Sequence, residues 1–266
     1  MKKFIIILFI LPIMSYSFKA VVICYHNIVE KTKFSIDVSV KDFEGHLLFF
    51  KNNGYKSITA SELLKVMKNP TDDKYVVITF DDGNDGVYKN AVPLLKKYGF
   101  KATFYIYPSI IFAREAGKRK AFMTWKEIKE VVNTPGFELG NHSYYHPFMT
   151  KEDDLGLVHN IIDAAKVLKE KTGQYPKTFA YPFGKYDDRV IKKLKEAGVE
   201  AGFSIDIGFI KPDSNQYKIP RLMLYKWVNV SILNEIVEKE NLALLNHPKK
   251  AKSIYISKNR EKNKIL

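Results

Sequence analysis

Tyr75-Val76-Val77-Ile78-Thr79-Phe80 runs straight into Asp81-Asp82-Gly83. The first six residues are β-branched and aromatic, the composition of a strand. The next three are chemically unlike them. Two adjacent carboxylates repel each other unless a cation or a proton resolves them. Such a pair also suits a turn with an aspartate helix cap, so its meaning depends on its surroundings.

Working outward, residues 20–24 form a second apolar β-branched run ending in Tyr25-His26-Asn27. Residues 41–53 carry Phe43, Leu47, Leu48 and Phe50 at helical spacing, with Gly54 as C-cap. A short strand at Ile58 and a helix capped by Ser61, ended by Asn69-Pro70, complete the stretch before Tyr75. Beyond the acidic pair, helices are expected at residues 91–98, 125–132, 155–171 and 189–197, several closed by glycine. Strands are expected at 102–107, 137–140, 178–181 and 201–205. Strand–helix alternation with glycine-marked returns predicts a parallel sheet with helical crossovers. Six or seven such units predict an α/β barrel in a single domain.

The polar residues then fall in one place. Asp81-Asp82, His142 and the turn Tyr181-Pro182-Phe183-Gly184 each come just after an expected strand. In a parallel barrel all those strand ends share one face, where active sites assemble. His142 and His146 stand four residues apart, which on a helical turn puts both rings on one side. The same spacing also describes two surface histidines. One Asp and two His, with a single cysteine (Cys24) and so no thiol set, suit Zn²⁺ or another borderline divalent ion. Three protein ligands leave a position open for water, the catalytic arrangement.

Composition bounds the partners. The 266 residues are 46% hydrophobic, a globular share, and one cysteine excludes an intrachain disulfide framework. Lys and Arg outnumber Asp and Glu by 43 to 29, so the surface attracts polyanions. Lys2-Lys3, an apolar run at 4–13 and the small residues of Ser15-Tyr16-Ser17 describe a signal peptide over residues 1–17. An uncleaved membrane anchor is the alternative. Cleavage would remove Lys2 and Lys3 and lower the charge from +14 to +12. An exported chain leaves nucleic acid out and favours an anionic glycan or a membrane surface, in the periplasm, envelope or medium. Residues 18–248 then form the domain, and 249–266 a basic tail.

Thr79-Phe80-Asp81-Asp82-Gly83, His142-Ser143-x-x-His146-Pro147 and Phe179-Ala180-Tyr181-Pro182-Phe183-Gly184 resemble, in that order, the motifs of the polysaccharide deacetylases. This is carbohydrate esterase family 4, the NodB-homology domain, and the resemblance runs from about Val21 to the region of Arg221. Tyr25-His26 and residues 43–64 are similar to the branch containing biofilm poly-N-acetylglucosamine deacetylases. The resemblance implies a distorted (β/α)7 barrel and a metal-dependent hydrolase that removes N-acetyl groups from an amino-sugar glycan or glycolipid of the envelope. It implies one divalent ion, zinc first with Co²⁺, Mn²⁺ or Ni²⁺ as alternatives, on Asp82, His142 and His146. Asp81 would be the general base and the Phe183 N–H the oxyanion donor.

Two positions depart from the family pattern. Many members begin the third motif with an Arg that orients the base, and here that position is Ala180. Arg221, after Pro220, is the expected replacement, the alternative being an ordinary surface charge. Leu245-Asn246-His247 matches the last motif, whose His protonates the leaving amine. His26, Tyr144, Tyr145 and Tyr181 are expected substrate contacts, while His46 and His159 are expected to be solvated on helices. A non-catalytic glycan-binding module on the same fold is the alternative function, disfavoured because a binder needs no base beside the ligand set. A two-metal phosphoesterase would need more ligands than this chain offers.

Overall fold

The computed structural model describes residues 18–246. The expected signal peptide, His247 and the basic tail lie outside the described residues. In chain order the elements are β1 (Lys19–Tyr25), β2 (Asn27–Val29), β3 (Asp37–Ser39), α1 (Val40–Asn52), β4 (Tyr55–Ile58), α2 (Ala60–Lys68) and β5 (Lys74–Asp81). Next come α3 (Val92–Tyr98), β6 (Ala102–Ile106), α4 (Pro108–Glu115), α5 (Trp125–Val132), β7 (Phe137–Asn141), α6 (Asp154–Val158) and α7 (Ala164–Thr172). The chain ends with β8 (Thr178–Ala180), α8 (Asp188–Glu196), β9 (Ala201–Phe203), β10 (Leu222–Met223) and α9 (Val230–Val237).

The main sheet runs β10-β1-β5-β6-β7-β8-β9, with β4 added beside the first half of β5, and its ladders are all parallel. The ends meet. Ser204 N–H donates to Ile219 O at 2.9 Å and Ile219 N–H to Gly202 O at 3.0 Å, joining β9 to the segment that leads into β10. Seven strand positions therefore close a distorted (β/α)7 barrel. Arg221 lies in the closing segment, between Ile219 and Leu222.

Strand alternation sorts the side chains into two layers. On β5, Val76, Ile78 and Phe80 face the helices, where Phe80 stacks between Tyr25 and Phe104 at 5.5 and 5.3 Å. Val77, Thr79 and Asp81 face the barrel interior. A Cβ at Gly140 would strike the Tyr105 ring, so only glycine fits there.

Several local expectations change. The cap of α2 is Thr59, in a capping box with Glu62, rather than Ser61. Ser61 instead binds Glu138 through its hydroxyl at 2.9 Å and its N–H at 3.1 Å. The helix expected over 155–171 is interrupted by a π turn at His159–Asp163, and a second π turn (Val87–Ala91) precedes α3. His46 is buried, bridging the Tyr25 hydroxyl at 3.0 Å and Val228 O at 2.8 Å, because α9 covers that side of α1. No helix among the described residues is long and apolar enough to cross a membrane.

Candidate active site

The acidic pair reaches one cavity because the backbone breaks step. Successive strand residues point to opposite faces, so Asp81 and Asp82 would diverge in an extended chain. Asp82 instead sits at φ 73 and Gly83 at φ 78, and Gly83 N–H donates to Asp81 O at 3.0 Å. A left-handed non-glycine residue is a strained conformation, kept here by the turn. Both carboxylates consequently line a cavity of about 270 Å³ with His26, His142, His146 and Phe183.

His142 leaves the end of β7, and its Nδ1–H donates to Ala180 O at 2.8 Å. That bond fixes the tautomer and leaves Nε2 as a lone-pair donor, 3.6 Å from Asp82 Oδ1. His146 Nε2 lies 3.6 Å from the same oxygen. The two imidazoles do not share a helical turn, contrary to the expectation from spacing. Residues 142–146 form a loop with Ser143 at φ 68 and His146 at φ 58. Asn141 Oδ1 accepts from Ser143 N–H at 2.9 Å, and Ser143 Oγ accepts from His146 N–H at 2.9 Å. Asn160, buried in the π turn, accepts from Tyr144 N–H at 3.2 Å and Tyr145 N–H at 3.1 Å. These short polar side chains build the left-handed turn that brings the rings to 4.7 Å.

The three donor atoms of Asp82, His142 and His146 lie within 4.8 Å of one another. Nitrogen and oxygen ligands at about 2.0–2.2 Å around a tetrahedral ion stand about 3.3–3.6 Å apart, so the set fits a divalent cation. The electrostatics agree with that donor chemistry. Burial pushes His142 down to about 3 and so keeps it neutral. Burial, and then the charge of Asp81, lift Asp82 to about 7, the signature of a carboxylate lacking a counter-charge.

Asp81 has its counter-charge. Arg221 Nη1 donates to Asp81 Oδ1 and Nη2 to Oδ2, each at 2.7 Å. Burial alone would raise the Asp81 carboxyl, but the Arg221 charge and its hydrogen bonds hold it well below the carboxylate range. The guanidinium is itself pinned: Nε–H donates to Ser204 O at 2.9 Å, Nη1 to Thr79 Oγ1 at 3.2 Å, and the Tyr105 ring lies 5.5 Å beneath. Arg221 is fully buried, so the surface alternative fails. The Cys24 thiol completes the shell, 3.5 Å from Asp81 Oδ2.

Other expected residues are distributed unevenly. His26 lines the cavity, and its buried Nδ1 has no hydrogen-bond partner among the described residues. Phe183 caps the cavity at φ 56, its ring stacked on Phe148 at 4.3 Å and edge-on to His146 at 4.5 Å. Tyr181 is buried and its hydroxyl donates to Tyr217 O at 2.8 Å, which makes it a wall rather than a polar contact. Tyr144 and Tyr145 turn outward. Their rings pack on His159 at 4.5 and 5.2 Å, away from the cavity, because Asn160 draws their main chain toward the π turn. Asn141, Ser143 and Asn160 were missed from sequence, their signal being only that Asn and Ser favour left-handed turns.

Residues 68–202 match the polysaccharide deacetylase family. The poly-beta-1,6-N-acetyl-D-glucosamine N-deacetylase of Staphylococcus aureus is 30% identical over 196 residues, covering 70% of this chain and 67% of that protein. The Streptococcus pyogenes deacetylase PplD, solved with acetate, superposes with a TM-score of 0.74 at 23% identity over 82% of this chain and 98% of its own. IcaB from Ammonifex degensii superposes with a TM-score of 0.67 at 24% identity, covering 79% and 93%. With the motifs assembled on one barrel face and most of the fold shared, the chain belongs to the polysaccharide deacetylases, carbohydrate esterase family 4.

Proposed function

We propose that the protein is a metal-dependent hydrolase that removes N-acetyl groups from an amino-sugar polymer of the cell envelope. One observation carries this reading: adjacent carboxylates have opposite partners, Asp82 facing two imidazoles and Asp81 gripped by Arg221. A divalent ion, zinc by the chemistry of one carboxylate and two imidazoles, would sit on Asp82, His142 and His146 and supply Lewis acidity to the acetamide carbonyl and to a water.

The rest is done by the chain's own groups. Asp81, held ionised, takes the water's proton on a carboxylate oxygen. A carboxylate so far below its usual range is a weak base, so its proton must come from an acidified water. Arg221 fixes the plane of that carboxylate. The Phe183 main-chain N–H is the donor assigned to the oxyanion. Burial lowers His26 and keeps it neutral, so this imidazole on the cavity wall, with a ring nitrogen within 4.8 Å of an Asp81 oxygen, would relay the proton taken up by Asp81 to the leaving amine. The S. aureus relative's name supports a poly-N-acetylglucosamine as the substrate class. Residues 1–17 support export.

The test is acetate release from β-1,4- and β-1,6-linked N-acetylglucosamine oligomers, by zinc-loaded and by chelated protein. Ion-dependent loss of acetyl groups, tracked by mass spectrometry, is expected. No release from any oligomer by protein holding one ion per chain would overturn the reading.

A further inference from the structure

Beside the catalytic cavity lies a second one of about 320 Å³, and the two share Phe183, Gly184, Ile205 and Met223. We propose that this second cavity is a subsite for the neighbouring sugar of the same glycan chain, with Tyr225 and Asp206 as its recognition residues. The inference rests on the proposed glycan substrate, and the observations behind it are separate from the metal cluster.

A pyranose presents an apolar C–H face and a rim of hydroxyls, so a site for it needs an aromatic plane and fixed polar groups at the edge. Both are here. Tyr225 lines the cavity, half-buried, its ring stacked on Trp227 at 4.5 Å and only 6° from parallel. That stack holds the ring in place before any ligand arrives, which lowers the entropy lost on binding. Asp206 lines the same cavity. Its Oδ2 accepts from the Tyr186 and Ser204 hydroxyls at 2.9 Å each, which fixes the carboxylate. Oδ1 has no hydrogen-bond partner among the described residues and can accept from sugar hydroxyls. Lys185 and Asn246, on the same wall, add donors. One cation and one anion make the lining neutral, which suits an uncharged sugar rather than an acidic polymer.

Position supplies the remaining argument. Gly184 and Ile205 belong to both cavities, and a Cβ at Gly184 would run into Ile205. Phe183, 46% exposed, forms the ridge between the two. A sugar whose acetamide enters the catalytic cavity must continue into its neighbour, and the second cavity meets the first at that ridge.

The experiment compares two substrates on the zinc-loaded full chain: a β-1,6-linked N-acetylglucosamine tetramer, and 4-nitrophenyl acetate, which is small enough to use the catalytic cavity alone. Tyr225→Ala should lower kcat/KM on the tetramer about three- to tenfold, mainly through KM, with the aryl ester unchanged. Asp206→Asn, an exposed and less disruptive change, should act in the same direction. Equal losses on both substrates would make Tyr225 a structural residue and overturn the subsite, as would unchanged tetramer kinetics in both variants. Wild-type protein that cleaves the ester but no oligomer would instead overturn the glycan reading, and the subsite with it.

Discussion

Arg221 and Asp81, 140 residues apart in sequence, are joined fork to fork by two hydrogen bonds of 2.7 Å inside the barrel. The family position that would supply an arginine is Ala180, on β8. Here the guanidinium comes instead from the segment that closes the barrel between β9 and β10. Closing the fold and holding the proposed base are therefore one structural event.

Arg221→Lys should keep the charge and lose the fork, lowering kcat about tenfold to a hundredfold while one ion per chain remains bound. Arg221→Ala should in addition destabilise the fold by about 3–5 kcal/mol, because it leaves a buried carboxylate unpaired. Turnover, bound metal and urea midpoints measured together check this. Near-normal turnover in both variants would mean that something else orients Asp81.

The sequence made the barrel legible because most of its strands are strong apolar runs ended by glycine or by a polar turn. Residues 125–132 match α5 at both ends. The closing strand was not legible. β10 is only two residues long, and Leu222-Met223 carries no periodicity to detect. Its importance lies in Arg221, whose burial comes from closure and not from local pattern. The cluster of Asp82, His142 and His146 could be read from residue types at loop positions. Its geometry could not, because the loop is shaped by side-chain bonds from Asn141, Ser143 and Asn160, the last of them 14 residues beyond His146 in sequence. The same bonds set the rings of Tyr144 and Tyr145: nearness in sequence to His142 and His146 did not bring them to the cavity wall.

Asp82→Asn should lose the bound ion, whereas Asp81→Asn should keep it and lose turnover. Only Asp82 approaches both imidazoles within 3.6 Å, while both Asp81 oxygens are engaged by Arg221. Metal analysis after dialysis checks the split. The reverse pattern would exchange the two roles.

Asn160→Ala should lower metal affinity about tenfold to a hundredfold without removing any ligand. The substitution strands the N–H groups of Tyr144 and Tyr145 and frees the loop that positions His146. Titration with a competing chelator reads the change. Unaltered affinity would show that Asn141 and Ser143 hold the loop unaided.

The buried His46 gives a pH signature outside the metal cluster. Burial pushes it down to about 4 from its ordinary 6.5. As pH falls, the unfolded chain takes the proton first, so stability is full above about 6.5 and declines toward pH 4. The decline should total about 2–4 kcal/mol from this residue. His46→Gln should flatten that part of the stability curve, measured as urea midpoints between pH 4 and 7. Parallel curves for the two proteins would remove His46 from the account.

The identity of the proton donor is open to a sharper test. His26 lines the cavity that holds Asp81 and Asp82, and one of its ring nitrogens comes within 4.8 Å of an Asp81 oxygen. An acid for the leaving group matters only when that group is a poor one. An amide must expel an amine that needs a proton, whereas 4-nitrophenolate leaves without one. His26→Asn should therefore lower kcat on an N-acetylated oligomer about 10²- to 10⁴-fold while lowering it less than about tenfold on 4-nitrophenyl acetate. His247→Asn, the alternative acid from the Leu-x-His match, should leave both substrates near wild type. A substitution that merely disturbed the cavity would depress both reactions together. If the amide-selective loss appears in His247→Asn and not in His26→Asn, the acid is His247, and His26 is a wall of the cavity.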